Sequence, residues 1–134
     1  MEFGTSLSIS ASGAAAQSDR LRVIAENLAN ADSTGSTPGS NPYRRQTITF
    51  KDQYDRSLNA DLVSVGRIGT DPSAFPTKYD PSNPAANAQG YVKTPNVNSF
   101  VELMDMQQAE RASDADLSVM NATRGMLTRT LDLI

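Results

Sequence analysis

Cysteine, histidine and tryptophan are all missing from the 134 residues of this chain. Without cysteine there is no disulfide, no thiolate nucleophile and no cysteine-held metal. Without histidine, zinc sites and the commonest general base drop out, and a Ser-His-Asp site is excluded. No pair of carboxylates is placed to stand in, so no catalytic residue, metal ligand or cofactor is assigned, and the chain reads as something other than an enzyme. Aromatics make up only 6% of the residues and hydrophobics 38%, so a compact core would be small for the length. No run of about 18 apolar residues exists to form a transmembrane helix. Met1-Glu2-Phe3 carries no positive charge and the stretch behind it is rich in Ser and Ala, so any export is expected to proceed without a cleaved signal peptide. The net charge of −3 is too weak and of the wrong sign for nucleic acid. Gly66-Arg67-Ile68-Gly69 lacks the Gly-Lys-Ser/Thr that a phosphate loop needs.

What the chain does have is two helical stripes, one at each end. Leu7, Ala11, Ala14, Ser18, Leu21, Ala25 and Leu28 step by four and three residues, and so do Leu103, Met106, Glu110, Ser113, Leu117, Met120, Arg124, Leu127, Leu131 and Ile134. All seven prolines fall between Pro38 and Pro95. A helix is expected over 5–31, capped by Thr5 or Ser6 and ended by Gly35 or an Asn in the left-handed conformation. Its stripe is thin in large side chains, so it would be marginal alone and needs partners. A second helix is expected over 99–134, about 54 Å long, opened by Ser99-Phe100-Val101-Glu102 as a capping box. Between them, 45–51 and 62–68 read as strands and 91–93 as a short third, with 71–90 irregular. The expected fold is mainly α: long terminal helices pairing as a coiled coil, joined by a loop-rich insert with two or three short strands. The segments would be 1–34, 35–97 and 98–134. The assembly face would run through Leu7, Ala14, Leu21, Ala25, Leu28, Leu103, Met106, Leu117, Met120, Leu127, Leu131 and Ile134.

Several segments are similar to the flagellar basal-body rod proteins. Gln17 to Thr34, with Asn27-Leu28-Ala29-Asn30 at its centre, resembles the shared rod and hook signature. Tyr43-Arg44-Arg45, Tyr79 to Pro84, and Gly90-Tyr91-Val92-Lys93-Thr94-Pro95-Asn96-Val97-Asn98 resemble the proximal-rod branch, and the last run argues against FlgB. Glu102 to Arg111 resembles the family's C-terminal helix, although Asp114 stands where the family commonly has an aromatic. The resemblance implies a structural subunit of the torque-transmitting rod, which encloses the export channel. It implies passage through the flagellar type III export gate without a cleaved signal, a place in the basal body, self-association, and FlgB, FlgF, FlgG and FliE as partners, with no nucleic acid and no small-molecule substrate. The rivals are a FlgB-like rod subunit, and a soluble coiled-coil adaptor or export chaperone.

Individual residues have plainer readings. Asn27 and Asn30 would mark a helix terminus, or else bond neighbouring subunits through their amides. Asp114 and Asp116 would lie on a solvated face. Phe75, Tyr79 and Tyr91 would pack a small middle region. Pro95 stops the preceding strand, and Asn96 and Asn98 would form an Asx-type turn into the last helix.

Overall fold

The computed structural model describes residues 2–134. Helix α1 spans Glu2–Ala29, strands β1 to β4 span Gln46–Asp55, Ala60–Thr70, Thr77–Tyr79 and Tyr91–Lys93, and helix α2 spans Ser99–Asp132. The mainly α expectation is therefore corrected. About 20% of the chain is strand, in two small antiparallel sheets, one of β1 and β2 and one of β3 and β4. Far from being short, β1 and β2 hold 10 and 11 residues.

Local chemistry makes these strands. The β1–β2 connection has no glycine. The Asp55 carboxylate instead accepts from the Ser57 amide at 2.8 Å, the Ser57 hydroxyl at 2.6 Å and the Leu58 amide at 3.2 Å, and Asn59 takes the left-handed conformation at φ 50°. The bonds to Ser57 and then Leu58 hold the Asp55 carboxyl below its ordinary pKa. In the smaller sheet Thr77, Lys78 and Tyr79 pair with Lys93, Val92 and Tyr91. The Tyr79 and Tyr91 rings meet edge to face at 5.4 Å. Gly90 turns the chain at φ +85°, and a Cβ there would come within 2.8 Å of the Tyr79 ring.

The contacts divide the chain into two compact units. In the first, residues 2–22, 48–67 and 106–134, the helices run antiparallel. The Ser6 and Thr123 hydroxyls lie 3.5 Å apart, and the Arg20 guanidinium donates to Gln108 at 3.2 Å. Gly13 meets Asp116 so closely that a Cβ would lie 2.7 Å from its carboxylate. Ser10, Ala16, Ala109 and Thr123 are buried in this unit. Strand β2 joins α1 through the Val63 amide, which donates to the Ser12 hydroxyl at 3.1 Å.

The facing residues are thus small and polar, and the expected pairing of the two apolar stripes as a coiled coil is corrected with the rest of the fold. On α1 the packed face runs through Ser6, Ser10, Gly13 and Ala16, about one residue out of phase with the stripe read from sequence, whose Ala11, Ser18 and Ala25 are exposed. Glycine, serine and alanine win this face because they let the helix backbones approach, which Leu7 and Leu21 would prevent. Asp116 is half-buried here rather than solvated, while Asp114 is exposed as expected.

The second unit, residues 23–47 and 68–105, has its own core of Val23, Ile24, Ala85 and Val92. Two polar residues, Asn27 and Glu102, are buried as deeply as any of these.

Candidate functional site

Asn27 lies in the last turn of α1, on the same helical face as Val23 and Ile24. Its amide is saturated. Oδ1 accepts from the Tyr43 hydroxyl at 2.9 Å and from the Gln46 amide at 2.8 Å. Nδ2 donates to the Gln46 carbonyl at 2.9 Å and reaches the Glu102 carboxylate at 3.5 Å. The side chain therefore pairs with both backbone groups of Gln46 as a neighbouring strand would, and pins the start of β1 to the end of α1. Of the two readings for Asn27, a terminus marker or an amide reaching other subunits, the amide's bonding capacity is taken up inside its own chain. Asn30 is a terminus residue: Nδ2 donates to the Glu26 carbonyl at 2.9 Å and Oδ1 accepts from the Ser33 hydroxyl at 3.0 Å. Gly35 is not left-handed, so that cap is corrected; the positive-φ glycines are Gly39 and Gly90.

Glu102 sits in the first turn of α2 and is 0% exposed. The capping box is also corrected. The cap is Asn98, whose Oδ1 accepts from the amides of Phe100 at 3.1 Å and Val101 at 3.3 Å. With the helix start satisfied by Asn98, the Glu102 carboxylate is released to meet the Arg45 guanidinium in a close ion pair. Asp71 and Asp105 stand 3.7 Å from the same guanidinium. One cation thus gathers three carboxylates, and the most deeply buried of them also receives the Asn27 amide.

Asn96 closes the network from the other side. Oδ1 accepts from the Arg45 amide at 2.8 Å, and Nδ2 donates to the carbonyls of Asp71 and Ser73 and to the Ser73 hydroxyl. Asn96 therefore ties distant backbone together, whereas Asn98 makes the local turn. Arg44 donates to the same two carbonyls, at 2.8 and 3.0 Å, while its guanidinium lies 4.1 Å from the centre of the Phe75 ring. The Ser73 amide, then the Ser73 hydroxyl, with smaller help from Arg45 and Arg44, hold the Asp71 carboxyl below its ordinary pKa. Burial first, then the charges of Glu26 and Glu102, push the Tyr43 phenol above its ordinary value.

The residues singled out by sequence separate into two groups. Asn27 and Asn96 converge on the Arg45 hub. Val92 and Pro95 are buried, Leu28, Asn30 and Val97 are half-buried, and Ala29, Tyr91 and Asn98 are exposed. Of the assembly positions, Leu7, Ala14, Leu21, Leu28, Met106, Met120 and Leu127 are half-buried, while Ala25, Leu103, Leu117, Leu131 and Ile134 are exposed. Sequence reasoning missed Tyr43, Gln46, Asp71 and the Arg45–Glu102 pair as site residues. The doubled Arg44-Arg45 before a strand was the available signal. No group of acidic residues among the described ones is arranged to hold a metal ion. The hydrogen bonds and ion pairs of the hub join the end of α1, the start of β1, the Asp71–Ser73 loop and the root of α2.

Two measurements check this site. Asn27→Asp keeps the shape but loses the donation to the Gln46 carbonyl and sets a second carboxylate against Glu102. Chemical denaturation should show a loss of about 3 kcal/mol, the scale for an unsatisfied buried group or charge. The Tyr43 shift sets a pH window. A raised folded pKa means its stabilisation is complete below the ordinary tyrosine value of 10.0 and is lost as pH rises through the higher folded value. Tyrosinate absorbance should show one phenol titrating late, and Tyr43→Phe should remove that late phase.

Comparison with known proteins bears on the whole of this architecture. Residues 7–36 match the family of flagella basal body rod proteins, and residues 88–133 match the C-terminal family of flagellar basal body rod FlgEFG proteins. The flagellar basal-body rod protein FlgC of Agrobacterium fabrum is 48% identical over 94% of this chain and 91% of its own length. Its counterpart in Salmonella typhimurium is 40% identical over 93% and 92%, and that in Bacillus subtilis 36% over 96% and 95%. Similarity that runs through both helices and the strands between them settles the family, and the chain belongs to the FlgC flagellar basal-body rod proteins.

Proposed function

We propose that this structural subunit of the flagellar basal-body proximal rod assembles through the exposed leucine stripe of α2, Leu103, Leu117 and Leu131, together with the large residues of the α1 stripe. Family membership supplies the role itself: a rod component of the basal body that assembles with other basal-body proteins. The observation that carries the interface is an inversion of polarity. Helix α2 turns Glu102, Ala109 and Thr123 inward and leaves Leu103, Leu117 and Leu131 exposed at 50%, 47% and 61%. Phe100, Val101, Met104, Val119 and Met126 are exposed as well. An isolated exposed leucine needs no explanation, but a 34-residue helix that shows solvent its larger apolar side chains does.

In this reading the exposed members of the expected interface, Leu103, Leu117, Leu131 and Ile134, meet neighbouring subunits directly. Leu7, Leu21, Leu28, Met106, Met120 and Leu127 are half-covered in the single chain and become fully covered in the rod, with Ala14 and Ala25 allowing close approach. The neighbours are FlgB, FlgF, FlgG and further copies of this chain, with FliE at the base, and delivery is through the type III export gate. The chain then does no chemistry. Its work is to hold its place in a stack that carries torque.

Leu103→Asp and Leu117→Asp test the interface. Each places a charge where the seam must become dry, at a cost of several kcal/mol. Both variants should fold and be exported, and neither should support swimming or hook formation. Ser118→Asp, on an exposed polar position of the same helix, should swim. Normal motility of the two leucine variants would remove the interface from α2.

A further inference from the structure

Near the start of α1 the first unit holds an open groove of about 950 Å³. Its apolar lining is Ile9 of α1, Val119 of α2 and Leu58 of the β1–β2 turn; Ile9 and Val119 are exposed there and Leu58 is half-buried. Glu2 lines the groove as well, and Arg56 adjoins its Ser57. The same unit carries an apolar peg at the end of α2. Leu133 and Ile134 are 88% and 99% exposed, and Leu131 is exposed one turn before Ile134. Arg129 and Asp132 sit among these residues. None of the four charges, Glu2, Arg56, Arg129 and Asp132, forms an ion pair among the described residues. The peg does not reach the groove of its own chain. Ser6 faces Thr123, so α2 runs on past the described start of α1, and Asp132 lies about 20 Å along the helix from Val119.

We propose that the groove at the start of α1 receives the end of α2, residues 129–134, from a second copy of this chain. The proposal rests on the reading of the chain as a self-associating rod subunit and names one contact between its copies. Leu133 and Ile134 enter against Ile9, Leu58 and Val119. The charges match in sign: Asp132 of the incoming helix meets Arg56, and Arg129 meets Glu2. Peg and groove are different surfaces, so the contact is heterologous. Each added copy leaves one groove and one peg free, and the contact repeats from copy to copy.

Sedimentation velocity of the purified intact chain over rising concentration tests this. The chain should form concentration-dependent oligomers. Leu133→Asp and Ile9→Asp should each weaken association at least about tenfold, because a charge enters an apolar groove, while circular dichroism shows unchanged helix. Mixing the two variants should restore association only as far as a dimer, since one keeps a sound groove and the other a sound peg. Arg56→Glu should weaken association, and Arg56→Glu/Asp132→Arg should recover it. If Ile9→Asp loses helix, Leu133→Asp and the charge exchange, all at exposed positions, carry the test. An intact chain that stays monomeric overturns the proposal, and so does Leu133→Asp associating like the intact chain. A groove covered only when other basal-body proteins are added would assign it to a different subunit and overturn the second copy as its occupant. The leucine stripe is judged by the swimming of Leu117→Asp and this contact by association of the purified chain, so the two readings fail separately.

Discussion

One ion pair, Arg45 with the fully buried Glu102, joins the end of α1, the start of β1 and the root of α2 in the second unit. A carboxylate at that depth is tolerable only with a counter-charge and hydrogen bonds in place. Both are supplied by distant parts of the chain: Arg45 from the approach to β1, and the Asn27 amide from the end of α1. Asp71 and Asp105 share the guanidinium, and Asn96 and Arg44 fix the loop that carries Asp71. Because each member needs the others to be satisfied, the hub has few intermediate arrangements. It converts a loop-rich segment with little aliphatic material into a fixed bracket at the root of α2.

A bracket of that kind suits a subunit that must stack reproducibly. An apolar core would give stability, but it is less particular about direction. A network of charged and amide groups accepts only one geometry, at some cost in net stability. The same economy shows in the helices. Their facing surfaces are built from serine, glycine, alanine and threonine, while Leu103, Met104, Leu117, Met126 and Leu131 stay exposed and Leu7, Leu21, Met106, Met120 and Leu127 are half-buried.

The parts of this structure that were legible in the sequence are those governed by local rules. The confinement of proline to the middle and the 3.6-residue period gave both helices nearly to their ends, Glu2–Ala29 and Ser99–Asp132. The alternation at Arg45 to Lys51 found the start of β1, but not its continuation through Asp52, Gln53 and Tyr54. The hairpin turn is made by Asp55 and Asn59 rather than by glycine, and so gives no strong turn signal. Strand β3 was hidden by the prolines around it. The 3.6-residue period does not distinguish a face that packs within the chain from one that meets another subunit, and on α1 the small residues Ser6, Ser10, Gly13 and Ala16 next to the stripe make the internal contact. At the site, Asn27 and Asn96 stood out through the resemblance. Glu102 fits the local capping pattern, while its true partner Arg45 lies 57 positions away, beyond the reach of any local pattern.

The central claim is that the exposed leucine stripe of α2 is covered in the assembled rod. The absence of native cysteine allows a direct measurement. Single Leu117→Cys and Ala115→Cys chains, both at exposed positions of α2 but on opposite sides of it, can be labelled with a water-soluble maleimide as free subunits and again in isolated basal bodies. The account predicts that both label in the free subunit and that Leu117→Cys becomes protected on assembly while Ala115→Cys stays the more reactive. Equal labelling of Leu117→Cys in the free subunit and in the basal body would contradict it.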